Sequence, residues 1–177
     1  MAGIKVITRK VRLNYVNLFT PRAVEEGDEP RYSSTLLIPK SDIITINHIK
    51  EAIEKSKENG KTLWGGTIPE NLKIPIKDGD LEKSEDKDYA NHYFVNASAK
   101  YKPGIVDLNL NEIIDPKEIY SGCYVRCAIN FYPYRQDGNF GIGCSIENVQ
   151  KLADGEILGR SSAVDDFSTP YEEEILI

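Results

Sequence analysis

The chain reads as an all-β domain with one helix, a curved barrel of about five strands, followed by an acidic tail. Three observations predict this class. Apolar and polar residues alternate with the two-residue period of a strand in several separate segments. Helical spacing occurs once, after Ser41. The opening strand changes phase part-way, as the bent strands of small barrels do.

Ile4 to Val16 is that opening strand. Ile4 and Val6 share one phase, whereas Val11, Leu13 and Tyr15 share the other, so a bulge is expected near Thr8 to Lys10. Pro21, Gly27 and Pro30 mark Leu18 to Pro30 as a loop. Arg31 to Ile38 is the second strand. Ser41 caps a helix, with Asp42 favouring its positive end. Ile43, Ile46, Ile49 and Ile53 give that helix one apolar stripe for the core, and Gly60 stops it.

Lys61 to Asp88 is polar and rich in Gly and Pro, an irregular segment with Trp64 as its anchor. Asp78-Gly79-Asp80 lacks the ligand spacing of a calcium loop and reads as a solvated turn. Asn91 to Tyr101 is a strand with Tyr93, Val95, Ala97 and Ala99 on one face and Phe94, Asn96, Ser98 and Lys100 on the other. Ile119 to Tyr134 is the longest, and Asp137-Gly138-Asn139 turns it into a return strand from Phe140 to about Lys151. Five strands, one helix and an early bend suit the OB-fold, a small barrel that binds single strands. The helix follows the second strand here, while OB-folds place it between the third and fourth; splitting the first strand at its bulge would restore that order.

The long strand carries the functional reading. Cys123, Val125, Cys127, Ile129 and Phe131 share a face fit for a core. Tyr124, Arg126, Asn130, Tyr132 and Tyr134 share the other. Rings interleaved with cations suit unstacked nucleic-acid bases and their phosphates. Gly141, Gly143 and Ser145 on the return strand would leave room beside them for a flat ligand. The candidate nucleic-acid contacts are Tyr124, Arg126, Asn130, Tyr132, Tyr134 and Arg135, joined by Phe94, Lys100, Tyr101 and Lys102. Tyr is also a good strand former, and cross-strand Tyr pairs stabilise sheets with no ligand.

Net charge is −6 and pI about 5.1, which argues against nucleic acid until the distribution is considered. Ser161 to Ile177 holds five acids and no Lys or Arg; without it, 22 basic and 23 acidic residues remain. The domain is expected over residues 1–158 and the flexible acidic tail over 159–177. The tail combines Asp165, Asp166, Phe167, Glu172, Glu173 and Glu174 with an Ile-Leu-Ile tip, a pattern suited to docking on a basic, apolar partner pocket or over the protein's own groove. The three Cys lack metal-ligand spacing and read as reduced core residues. No metal or cofactor is expected. His48 and His92 have no nucleophile or carboxylate pair to work with, so an enzyme is not expected. With no signal-like or membrane-spanning segment, a soluble cytoplasmic protein is expected.

The segments PRYSSTLLIPKSD (30–42), NASAKYKPGIVD (96–107), YSGCYVRCAINFYPY (120–134), GIGCSIENVQKLADGE (141–156) and DDF (165–167) resemble a family of bacteriophage OB-fold single-stranded DNA-binding proteins. The resemblance covers most of the chain from Arg12 to Phe167. It implies a replication or recombination protein that coats single strands without sequence preference, and a tail that contacts replication or recombination partners. The Ile175 to Ile177 tip departs from the terminal Phe of many single-strand-binder tails. A homodimer is a further expectation, and the alternative function is a phage structural or assembly protein using the Tyr face as a protein interface.

Overall fold

The computed structural model describes residues 3–160 and 163–172. Strands β1 (Ile4–Ile7), β2 (Val11–Arg22), β3 (Arg31–Pro39), β4 (Ile76–Asp78), β5 (His92–Ala99), β6 (Gly104–Val106), β7 (Tyr124–Gln136) and β8 (Asn139–Ala153) form one sheet. The sheet curls into a ring of five barrel strands, β2–β3–β5–β8–β7 and back to β2, with β1 continuing β2 along β7. The β5–β8 closure is a short parallel contact at Ser98 and Ser145, so the barrel is imperfect. This is the OB-fold.

The expected bulge is present. Ile7 pairs with Ala128 and Val11 with Val125, four steps on one strand against three on the other. Thr8 fills the break: its N–H donates to Cys127 O at 2.9 Å, and its hydroxyl oxygen accepts from Cys127 N–H at 2.9 Å. Both halves flank β7, so β1 and β2 are one barrel strand. The helix therefore does follow the second barrel strand, and splitting the first does not restore the usual order. β2 also runs on to Arg22, past the predicted loop start at Leu18, because Leu18 is buried and Pro21 sits where little ladder pairing is required.

Helix α1 (Ile43–Gly60) plugs the barrel with Ile46, Ile49, Ala52 and Ile53. Asp42, one residue beyond the predicted cap, accepts from Thr45 N–H at 3.1 Å. Ile43 stays 64% exposed at the helix start. Gly60 is the last helical residue but takes no left-handed cap conformation; packing is what requires the glycine, since a Cβ there would lie 2.6 Å from the Trp64 ring and 2.7 Å from Pro133. Trp64 is buried as anticipated, and its indole N–H donates to Tyr134 O at 3.0 Å.

The segment from 61 to 88 has more structure than predicted. β4 pairs with β5, and the short helix α2 (Gly79–Glu82) follows. The Asp78-Gly79-Asp80 turn is tied to the body, with Lys40 Nζ 2.8 Å from Asp78 and 2.6 Å from Asp80. Hydrogen bonds from that ammonium hold both carboxyls below the usual carboxylate range. The three Cys are free and buried, and burial pushes their thiols up.

Candidate nucleic-acid interface

The core face of β7 is as the alternation requires: Cys123, Val125, Cys127, Ile129 and Phe131 are buried. The opposite face divides into two regions. At the hairpin end, Tyr132 lies directly across from Gly143 and Tyr134 from Gly141. The rings occupy the space over these glycines. A Cβ at Gly143 would meet Tyr132 Cζ at 2.6 Å, and one at Gly141 would meet Tyr134 Cζ at 2.6 Å. The glycines are seats for the chain's own tyrosines, which corrects the expectation of room for a flat ligand beside them. An aromatic ring laid over a cross-strand glycine restores the packing that the glycine lacks.

The seated rings form a shared wall of two adjoining open cavities of about 630 and 470 Å³. Lys73 and Ser98 also line both. Arg22 and Arg31 line the larger, Lys77 and Asn96 the smaller. The flanks are the β2–β3 loop, with Asp28 and Glu29, and the β7–β8 turn, with Asp137. Asp137 and Gly138 both have positive φ, +51° and +78°, as a two-residue hairpin turn of this hand needs. Lys73 is fixed by the backbone: its N–H donates to Phe140 O at 3.0 Å, and its O accepts from Ile142 N–H at 2.9 Å. Burial raises the Tyr132 phenol, so the ring faces the groove neutral. The loops after the first and fourth barrel strands, with strands two and three between them, are where OB-folds bind oligonucleotides.

Over residues 4–176 the sequence matches the family described as Enterobacter phage Enc34, ssDNA-binding protein. The chain belongs to this family. Protein p50 of Acyrthosiphon pisum secondary endosymbiont phage 1 is 31% identical over 188 aligned positions, covering 98% of this chain and 99% of that protein. The single-stranded DNA-binding protein of bacteriophage Enc34, solved in complex with ssDNA, superposes with a TM-score of 0.79 at 29% identity, covering 88% of this chain and 89% of that one. The gp2.5 single-stranded DNA-binding protein of bacteriophage T7 shares the fold, with a TM-score of 0.65 at 14% identity and 97% coverage of each chain.

Within this member of the Enc34 family, the ten residues singled out from sequence are not brought to one place. Tyr132 and Tyr134 line the groove. Arg126 lies six residues back along β7, roughly 20 Å away, and its Nε donates to Gln150 at 2.5 Å. The Asn130 amide donates to Glu147, which also pairs with Lys5. Tyr124 is flanked by Lys10 at 4.6 Å and Arg12 at 5.3 Å from its ring centre. Arg135 sits over Phe140, 5.6 Å from the ring centre. Lys100 lies 3.7 Å from Glu29, Lys102 lies over Phe19, and Tyr101 is 79% exposed.

Phe94 is the clear correction. It does point away from Val95, as its phase requires, but it is only 4% exposed. Tyr89 covers it edge-on at 5.2 Å, and Leu37 and Leu158 complete a second small core on the outside of the barrel. It has no open face to offer a base. Arg22, Arg31, Lys73 and Lys77 were missed. Arg22, Lys73 and Lys77 lie in the predicted loops, where no periodicity shows which side chains converge, and Arg31 is the first residue of a predicted strand, at its border with a loop.

In the tail, Ala163–Asp166 forms one helical turn, α3. Asp165 lies 4.0 Å from Lys87, and Phe167 is 81% exposed. Glu173, Glu174 and the apolar tip lie outside the described residues. No described helix is long and apolar enough to cross a membrane.

Proposed function

We propose that this protein binds single-stranded DNA without sequence preference, laying the strand across the Tyr132–Tyr134 groove. What carries this reading is a pair of rings seated side by side at a groove lined by four cations, in a chain of this family. Bases stack on the rings, each contributing about 1–3 kcal/mol by a contact every base can make. Phosphates face Lys73, Lys77, Arg22 and Arg31. Local positive charge is enough for a net acidic protein to bind, and affinity falls with salt as counterions are released. Tyr124, Arg126, Asn130, Arg135, Lys100, Tyr101 and Lys102 are peripheral in this reading, and Phe94 is outside it.

The role that follows is protection of single strands during phage replication or recombination. The chain after Leu158, the last buried one among the described residues, is read as a separate acidic module that recruits replication or recombination proteins through Asp165, Asp166, Phe167 and Glu172, with Glu173 and Glu174. Titration with oligo-dT, followed through the single Trp, tests strand binding: Trp64 is hydrogen-bonded to the Tyr134 backbone and reports on that wall. Absence of any signal change and of any gel shift at low salt sinks the proposal. Truncation after Gly159 tests whether the tail also covers the groove, in which case the truncated protein binds more tightly.

A further inference from the structure

Arg22 and Arg31 are direct partners across the β2–β3 pair and line the same cavity. Directly opposed residues on antiparallel strands hold their Cβ atoms about 4.5–5.5 Å apart on one face, and like charges there are destabilising. Two carboxylates stand nearby on the connecting loop, yet both are turned to other partners. Asp28 Oδ2 accepts from Glu25 N–H at 3.2 Å, and Glu29 lies 3.7 Å from Lys100. Among the described residues neither arginine forms an ion pair with a carboxylate. Arg31 is close enough to Tyr132 for its charge to act on the phenol.

Two arginines that line one cavity, with no ion pair to a carboxylate among the described residues, form a seat for one outside anion, and guanidinium forks match phosphate oxygens. We infer that Arg22 and Arg31 jointly seat a single phosphodiester, the one next to the base that stacks on Tyr132. This rests on the strand-binding reading above and adds a specific claim to it: one phosphate is shared by two arginines. The ligand chemistry is a phosphate anion, which inorganic phosphate offers without the base.

The test uses the full-length protein with Arg22→Gln, Arg31→Gln and the double variant. Oligo-dT affinity is measured over a salt series, and thermal midpoints are measured in phosphate and in chloride of equal ionic strength. A shared seat neutralises one phosphate, which the remaining arginine still pairs, so each single variant leaves the salt slope nearly unchanged and the double lowers it by about 0.7. The double variant weakens binding on the order of tenfold, more than the two single losses combined. Without phosphate the double variant melts no lower than the wild type, since a like-charge pair has been relieved. Phosphate raises the wild-type midpoint and leaves that of the double unchanged. A slope loss of about 0.7 in each single variant and twice that in the double overturns the shared seat, as does a slope unchanged in the double or a midpoint lowered by removing the charges. If the wild type leaves oligo-dT unbound, the strand-binding reading is what fails. The phosphate arm then still decides the seat: a rise lost in the double variant upholds it, and no rise in the wild type overturns it.

Discussion

The outer face of the β7–β8 hairpin carries tyrosine and arginine at both ends, yet the two ends are built differently. At the turn end, Tyr132 and Tyr134 rest on glycines, and the cations around them come from other elements and line open space. At the other end, each group is engaged within the chain, Tyr124 with Lys10 and Arg12 and Arg126 with Gln150, and midway along the strand Asn130 is held by Glu147. Residue type alone does not distinguish them. What does is whether neighbouring side chains already satisfy the group, because a ring or cation with an internal partner has less to gain from a ligand.

The largest expected effect comes from removing both seated rings. Tyr132→Ala with Tyr134→Ala weakens oligo-dT binding on the order of a hundredfold or more, whereas the paired Phe variants, which keep the stacking faces, stay within about threefold of the wild type. An equal loss in both pairs would mean that the hydroxyls, not the rings, make the contact. Next, Lys73→Gln with Lys77→Gln lowers the salt slope of binding by about 1.4, one phosphate for each charge. A slope unchanged by this pair would move the strand off that wall.

A third variant sharpens the seating argument. Gly143→Ala places a methyl 2.6 Å from the Tyr132 ring, which must leave its position. Binding should then weaken about tenfold, the cost of a misplaced stacking face. Retention of full affinity, measured by the same titration, would show that the ring's seat is irrelevant to binding. The smallest effect is expected at the far end: Arg126→Gln and Tyr124→Phe each change affinity by less than about twofold, as a contact outside the strand's path should. A tenfold loss at either position would erase the contrast between the two ends.

Much of the fold is legible in the residues. The β7 alternation, the one-residue bulge after Ile7, the Asp137-Gly138 turn and the Ile46, Ile49, Ile53 stripe each follow from local periodicity or backbone preference. The strand β4 is not legible, because three residues carry no alternation to read. Phe94 shows a second limit. Its face was read correctly from phase, but Tyr89 and Leu158, distant in sequence, cover it. The groove was half legible. Tyr132 and Tyr134 follow from one strand, while Arg22, Arg31, Lys73 and Lys77 converge only when the barrel closes, and no single segment records that closure.

The central claim is that a single strand lies on the turn end of this hairpin. Photo-crosslinking of bromodeoxyuridine-substituted oligo-dT, with mass-spectrometric mapping of the adducts, tests it most directly. Adducts on Tyr132 and Tyr134 are the predicted result. Adducts on Tyr124 with none on Tyr132 or Tyr134 would contradict it.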